Sequence, residues 1–143
     1  MMKKIIVFGI LLTLINSCNL FKSNKNKKEV IGIAKIDNFN NYRENDSYSI
    51  VNAFIDGDIL NIDVTYSGGC KTHNFELIGS NMVAKSLPPQ RNVLLVHHAN
   101  GDDCRELMGE RLKFNIQNLT FEGKDVMLRI SNYDKEILYQ VNK

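Results

Sequence analysis

The chain has 143 residues, of which 43% are hydrophobic and 24% charged, and its formal net charge is +2. This length suits one ordinary domain and excludes a multidomain enzyme, and the composition excludes disorder, collagen-like repeats and a polytopic membrane protein. The small positive charge and the three cysteines take their meaning from their positions along the chain.

Residues 1–17 have the pattern of a secretory signal. Two lysines precede an apolar run from Ile5 to Ile15, which is interrupted only by Gly9 and Thr13. Eleven residues of helix would cover about 16 Å, roughly half of the ~30 Å hydrocarbon core of a bilayer. The run therefore predicts a cleaved signal and not a spanning helix.

The residues around Cys18 resemble the signal of bacterial lipoproteins, in which an aliphatic, a variable and a small residue precede an acylated cysteine. Ile15, Ser17 and Cys18 match this pattern, whereas Asn16 departs from the small or hydroxylic residue usual at its position. The resemblance implies that Cys18 becomes the first mature residue and carries a thioether-linked diacylglycerol. Since two or more acyl chains anchor a protein stably, we expect the mature chain to stay on a membrane. The alternative is an ordinary signal that releases a soluble protein.

Residues 18–28 are predicted to join this lipid to the folded part. Asn19–Lys28 is polar, contains four lysines and has no periodicity, which is typical of a solvated tether. Its lysines would either contact anionic head groups or form a simple spacer. Acidic residues directly after the acylated cysteine resemble a surface-export signal of some Gram-negative lipoproteins, and here they are absent. The pattern favours the cell envelope, on the outer membrane and facing the periplasm.

From residue 29 onward, apolar residues recur mainly at every second position, which is the period of a β-strand. The clearest feature is a hairpin, in which Ser49–Ile55 and Ile59–Ser67 flank the tight-turn sequence Asp56-Gly57-Asp58. One face of its second strand carries Leu60, Ile62, Val64 and Tyr66. Further strands are predicted at Val30–Ile36, His73–Ile78, Asn92–His98, Arg111–Ile116, Asp125–Ser131 and Glu136–Val141.

These short strands predict one all-β domain over residues 29–143, an antiparallel two-sheet sandwich. An immunoglobulin-like arrangement is one version of this fold, and a small barrel is the alternative. One short helical turn is predicted at 103–109, because Glu106 follows Asp103 at capping-box spacing and Gly109 ends the segment. Pro88-Pro89 cannot lie in a central strand and predicts a stiff exposed loop.

Cys70 and Cys104 are the two cysteines of the predicted domain, and in an oxidising compartment they most simply form a disulfide. Linking positions 34 apart would stabilise the fold by about 3.8 kcal/mol in the chain-entropy model. The alternative is a zinc site in which Cys70-x-x-His73 supplies two ligands.

His97, His98, Asp102 and Cys104 would supply the remaining zinc ligands, although neighbouring histidines of a strand point to opposite faces. The same residues allow a weaker catalytic hypothesis, with Cys104 as nucleophile, a histidine as base and Asp102 orienting it. Pairing with Cys70 would make that thiol inert, so no catalytic residue is assigned.

Other ligand classes find less support. Asn100–Asp103 lacks the downstream glutamate of a calcium loop, and Gly68-Gly69 suits a bulge better than a nucleotide cradle. Residues 29–143 hold 12 basic and 16 acidic side chains, a net −4 that disfavours nucleic acid.

The stretch Leu60–Leu112 resembles uncharacterised small lipoproteins of Bacteroidota. The resemblance is carried by Ser67-Gly68-Gly69-Cys70-x-x-His73-x-Phe75, by Leu87-Pro88-Pro89 and by His97 through Cys104. It implies no activity and only strengthens the pairing of the two cysteine segments. We therefore predict an envelope lipoprotein, without a cofactor beyond its lipid, that binds a protein partner or has a structural role without catalysis. A metal-binding lipoprotein is the first alternative, and a small hydrolase or protein inhibitor is the second.

Overall fold

The structure, a computed structural model, describes residues 30–141. The predictions for the signal, Cys18 and the tether lie outside this range. None of the helices in the described range is long and apolar enough to cross a membrane. Residues 30–141 form nine strands, and two single 3-10 turns lie at Phe39–Asn41 and Gln117–Leu119. The strands are β1 (Ile31–Ile33), β2 (Lys35–Asp37), β3 (Ser49–Asp56), β4 (Ile59–Gly68), β5 (Asn74–Ala84), β6 (Gln90–His98), β7 (Glu106–Asn115), β8 (Val126–Ile130) and β9 (Glu136–Tyr139).

The strands form two sheets packed as a sandwich, which confirms the predicted all-β fold. The first sheet has the order β1-β7-β4-β3 and the second the order β2-β5-β6-β8-β9. Both sheets are mixed and not purely antiparallel, because β1–β7, β2–β5 and β6–β8 are parallel pairs. The β6–β8 pair has a simple cause: the chain reverses twice, through β7 of the other sheet, and so returns beside β6 in its original direction.

The predicted single strand Val30–Ile36 is divided between the sheets at Ala34. Ile31–Ile33 pairs with β7, and Lys35–Asp37 pairs with β5. Ala34 itself is completely buried at the crossing. This segment therefore closes one side of the sandwich.

The predicted helical turn at 103–109 is wrong, because its second half begins strand β7. Ten consecutive pairs join β7 to β4, from Glu106 opposite Gly68 to Asn115 opposite Ile59. A helix of two turns is marginal without tertiary support, whereas this ladder pairs the backbone from Glu106 onward. The strand predicted at Arg111–Ile116 is the second half of β7.

The core lies between the sheets and follows the predicted alternation. In β4, Leu60, Ile62, Val64 and Tyr66 point inward and are buried. The predicted loop around Pro88-Pro89 is also present, with Leu87 fully exposed at its tip.

The inward face of β6 carries apolar residues flanked by two polar ones. Arg91 lies at one end of the core, and His97 lies at the other. Arg91 donates to the backbone carbonyls of Ser80, Leu119 and Thr120, and burial lowers the pKa of its guanidinium. Strand β6 thus places a satisfied cation at one end of the sandwich and a histidine at the other.

Candidate functional site

The predicted site residues meet at the His97 end of the sandwich. The β4–β5 loop contributes Cys70 and His73, the end of β6 contributes His97, and the β6–β7 loop contributes Asp102 and Cys104. Cys70 and Cys104 form the predicted disulfide, with their Cα atoms 5.9 Å apart. Neither sulfur is a thiolate in this state.

Asp102 holds the two cysteine segments together through its carboxylate. One oxygen accepts hydrogen bonds from the backbone amides of Cys70 (2.9 Å) and Lys71 (2.8 Å), and the other accepts from the amide of Cys104 (2.9 Å). The amide of Cys104, followed by that of Lys71, holds the pKa of Asp102 well below its usual range. The carboxylate is therefore ionised at neutral pH, although the side chain is completely buried.

The turn that aims Asp102 inward has two residues in the left-handed region, Asn100 (φ 55°) and Gly101 (φ 67°). The ammonium group of Lys71 stabilises this turn by donating to the carbonyls of Asn100 (3.2 Å) and Gly101 (2.6 Å). The loop is consequently fixed from both sides of the disulfide.

A chain of two imidazoles extends from Asp102 into the core. Nε2 of His73 lies 3.2 Å from Oδ2 of Asp102, and Nδ1 of His73 lies 2.8 Å from Nε2 of His97. Because the ionised carboxylate can only accept, the proton on Nε2 of His73 points toward Asp102. The second contact joins the two imidazoles directly. We call this arrangement the Asp102–His73–His97 chain.

The Asp102–His73–His97 chain ends at Nδ1 of His97, a buried nitrogen without a hydrogen-bond partner among the described residues. Burial is the main cause of the lowered pKa of His97, because an imidazolium would lose its hydration there. His97 is therefore held neutral.

Aromatic rings seal this network from solvent. The ring of His97 stacks on Phe75 with centroids 4.4 Å apart and an interplanar angle of 4°, and His73 stacks on Tyr66 at 4.6 Å. Tyr48 meets His97 edge-on at 6.1 Å. Burial and the neighbouring Glu110 raise the pKa of Tyr66 to about 12. The side chain of His73 is 2% exposed, so no substrate reaches it in this conformation.

The close approach of His73 explains why position 68, the first of the Gly68-Gly69 pair, is a glycine. A Cβ atom at this position would lie 2.5 Å from Nε2 of His73 and 3.2 Å from Oδ2 of Asp102. Gly69 has a φ of 114°, which side chains rarely adopt. The pair therefore makes room for the imidazole and turns the chain toward Cys70.

His98 does not join the site, as its place on the opposite face of β6 predicted. Its Nε2 lies 3.8 Å from Glu76 on the outer face of the second sheet. Ligand atoms of Cys70, Asp102 and Cys104 do lie within 4.8 Å of one another. Two of these atoms are the bonded sulfurs, so this set does not fit a thiolate zinc site while the disulfide is intact. The catalytic hypothesis likewise lacks a free thiolate in this state.

The sequence did not predict that residues 45–48 cover the free edge of β6. Strand β8 pairs with β6 only between Gln90 and Val93. Beyond that point, Asn45 accepts from the amide of His97 (2.8 Å), and the Tyr48 hydroxyl donates to the carbonyl of Leu95 (2.7 Å). The only signal for this role was a polar stretch without strand period.

A second feature, the β3 groove, lies at the opposite side from β1. The groove has a volume of about 640 Å³ and is lined by Ile50, Val51 and the turn Asn132–Lys135. Strand β3 is the edge of its sheet. The amide of Ala53 points away from β4 and donates to the hydroxyl of Tyr133 (3.2 Å). A side chain here takes the place that a neighbouring strand would fill.

Comparisons with known proteins agree with the observed fold. A family model described as "NigD-like C-terminal beta sandwich domain" matches residues 22–142. No curated protein sequence matches the chain significantly. The crystal structure of a NigD-like immunity protein from Bacteroides caccae is similar, with a TM-score of 0.56, 19% identity, and coverage of 78% of this chain and 60% of that one. A protein of unknown function from Bacteroides vulgatus gives a TM-score of 0.50 and 18% identity, with coverage of 79% and 57%. The chain thus spans about 60% of the length of these structures.

Proposed function

The chain belongs to the family of NigD-like C-terminal beta sandwich domains, and from this premise we propose that it is a noncatalytic binding protein of the bacterial cell envelope, anchored through a lipid on Cys18. The observation that carries the binding role is the β3 groove beside β3, a strand at the edge of its sheet. Edge strands bind extended segments of partners through backbone donors and acceptors, although here the Ala53 amide is already bonded to Tyr133.

The burial and bonding of the residues of the predicted catalytic site support a role without catalysis. Asp102 and His73 are buried and bonded to each other or to backbone amides, and Cys104 is bonded to Cys70. A catalytic base must reach its proton, and a nucleophile must be free to attack. These groups instead stabilise the loops at one end of the sandwich.

The groove supports a protein partner better than a small molecule. It is open, and charged and polar side chains of Asn132, Asp134 and Lys135 line it beside Val51, which is 64% exposed. Small-molecule sites are mostly enclosed and apolar. One similar structure is described as an immunity protein. A toxic protein is therefore the first class of partner that we propose to test.

Two experiments on the full chain separate the anchor from the binding role. Cells producing wild-type protein or Cys18→Ala are fractionated, and the mature chain is analysed by intact mass. We expect an acylated wild-type chain in the membrane fraction and a soluble or uncleaved variant. Equal fractionation of the two proteins would contradict the anchor.

For the binding role, a photocrosslinking amino acid is introduced at Val51, and at Leu107 as the control. Leu107 is at least as accessible as Val51, at 77% against 64% exposed, but lies on β7 outside the groove. We expect a defined adduct from position 51 alone, and its partner should inhibit a strain that lacks the chain more than the complemented strain. Identical adducts from both positions would contradict recognition by the groove.

A further inference from the structure

The segment that closes the sandwich opposite the β3 groove exposes an unusual set of aliphatic side chains. Val30 is 77% exposed, Ile31 49%, Ile33 67% and Ile36 45%, all within seven consecutive positions. We call these four residues the β1–β2 apolar stripe. Large aliphatic side chains exposed this close together along the chain favour an interaction site over an ordinary surface.

The stripe is part of the rigid framework. Ile31 and Ile33 lie on β1, which pairs with β7, and Ile36 lies on β2, which pairs with β5. Ala34 between them is completely buried and fixes the crossing from one sheet to the other. Three of the four aliphatic side chains are therefore presented by a backbone that is paired on one side.

The charged residues beside the stripe include two lysines and three acidic residues, of which Glu29 directly precedes Val30. Lys113 stands opposite Ile31 in the β1–β7 register, and Lys35 lies within the stripe. Glu76 pairs with Lys35 at 2.6 Å, and the carboxylate of Asp37 accepts local hydrogen bonds from Asn38, Asn41 and Tyr42. Surfaces that insert at the boundary between head groups and acyl chains typically combine aliphatic side chains with neighbouring lysines.

The position of the stripe along the chain points to its occupant. Val30 follows Cys18 by twelve residues, which reach at most about 40 Å even when fully extended. Four lysines, at Lys22, Lys25, Lys27 and Lys28, and one acidic residue, Glu29, lie between the two positions. The stripe is thus the first part of the sandwich to follow the proposed lipid, and the intervening chain carries the charge that attracts anionic lipid.

We propose that the β1–β2 apolar stripe docks on the surface of the lipid bilayer, an inference that rests on the proposed anchor at Cys18. The lipid supplies the affinity, and the stripe sets the orientation of the domain. In the sheet order β1-β7-β4-β3, the docked strand and the strand of the groove are opposite edges.

The experiment uses the absence of tryptophan from the chain, which makes any introduced tryptophan a unique fluorophore. The full-length lipidated proteins Ile33→Trp and Leu87→Trp are reconstituted into phosphatidylethanolamine–phosphatidylglycerol vesicles, with or without bromine on the upper acyl chain. Leu87 is the matched control because it is 100% exposed on a loop outside the stripe. Both sites are exposed, so both variants should fold, and far-ultraviolet circular dichroism checks this.

We expect the emission of the Ile33→Trp protein to shift to the blue and to lose intensity in brominated vesicles, because interfacial apolar side chains lie about 5–10 Å into this boundary. The Leu87→Trp protein should show neither change. Equal quenching of the two acylated proteins would overturn docking by the stripe and leave the anchor intact. A chain whose intact mass shows no lipid would overturn both proposals. A blue shift that grows with protein concentration and ignores the brominated lipid would assign the stripe to a second copy of the chain and would also overturn docking.

Discussion

The substitution Gly68→Ala tests whether the Asp102–His73–His97 chain stabilises the fold. The added Cβ would lie 2.5 Å from Nε2 of His73, about 1 Å inside an ordinary contact. His73 cannot swing aside freely, because its ring packs against both Tyr66 (4.6 Å) and His97 (5.0 Å). The methyl group must therefore push the imidazole away from Asp102 or shift the β4–β5 loop.

The expected loss follows from these contacts. Overpacking a tight site costs about 1–3 kcal/mol, and a weakened hydrogen bond adds about 1 kcal/mol. Replacing glycine offsets about 0.4–1 kcal/mol through the unfolded state. The free energy of unfolding should thus fall by about 1–3.5 kcal/mol for Gly68→Ala.

Gly109→Ala is the matched control, since Gly109 is also a strand glycine, on β7. Its added Cβ would meet only the carbonyl oxygen of Val64 at 4.0 Å, and this variant should be neutral or more stable. Urea denaturation followed by circular dichroism gives both free energies, and nuclear magnetic resonance of the His73 ring reports its displacement. If Gly68→Ala unfolds at the same urea concentration as Gly109→Ala, the packing argument at this glycine fails.

Two further predictions concern the disulfide and pH. The free energy of unfolding of the double variant Cys70→Ser/Cys104→Ser should fall by about 3.8 kcal/mol, the value for a cross-link of 34 positions. Thiol counting with elemental analysis of the native protein should find neither free thiols in the domain nor stoichiometric zinc. Two free thiols with one bound zinc would overturn the disulfide assignment. The free energy of unfolding should also fall between about pH 7 and pH 5, because the lowered pKa of His97 lets the unfolded state bind more protons than the folded state there. In urea titrations His97→Gln should reduce this slope and His98→Gln should retain it, and equal slopes in the two variants would contradict the assignment to His97.

The sequence predicted those parts of the fold that depend on local alternation. The β3–β4 hairpin and the inward face of β4, from Leu60 to Tyr66, follow from strand period and a two-residue turn. The direction of strand pairing does not, because the parallel β6–β8 pair arises from two reversals through the other sheet. The helical turn at 103–109 failed for a related reason: a local capping signal competed with ten long-range pairs to β4.

The candidate site was predictable in its residue types but not in their connections. Spacing brought Cys70, His73 and Asp102 into one hypothesis, yet it could not show that Asp102 accepts from amides on both sides of the disulfide. Arg91 escaped notice because the predicted strand began at residue 92. Extending the alternation of β6 by one residue would have placed this cation on the core face.

The disulfide and Asp102 join the same two segments by different means, which determines what reduction would do. The disulfide acts mainly by limiting the unfolded chain. Asp102 acts on the folded state, where its oxygens accept from Cys70 and Lys71 on one loop and from Cys104 on the other. Because these bonds use backbone amides and not the sulfurs, they survive reduction. The reduced protein should therefore unfold more easily and yet keep the geometry of the His97 end, so loss of the disulfide alone should leave the β3 groove and the β1–β2 apolar stripe intact.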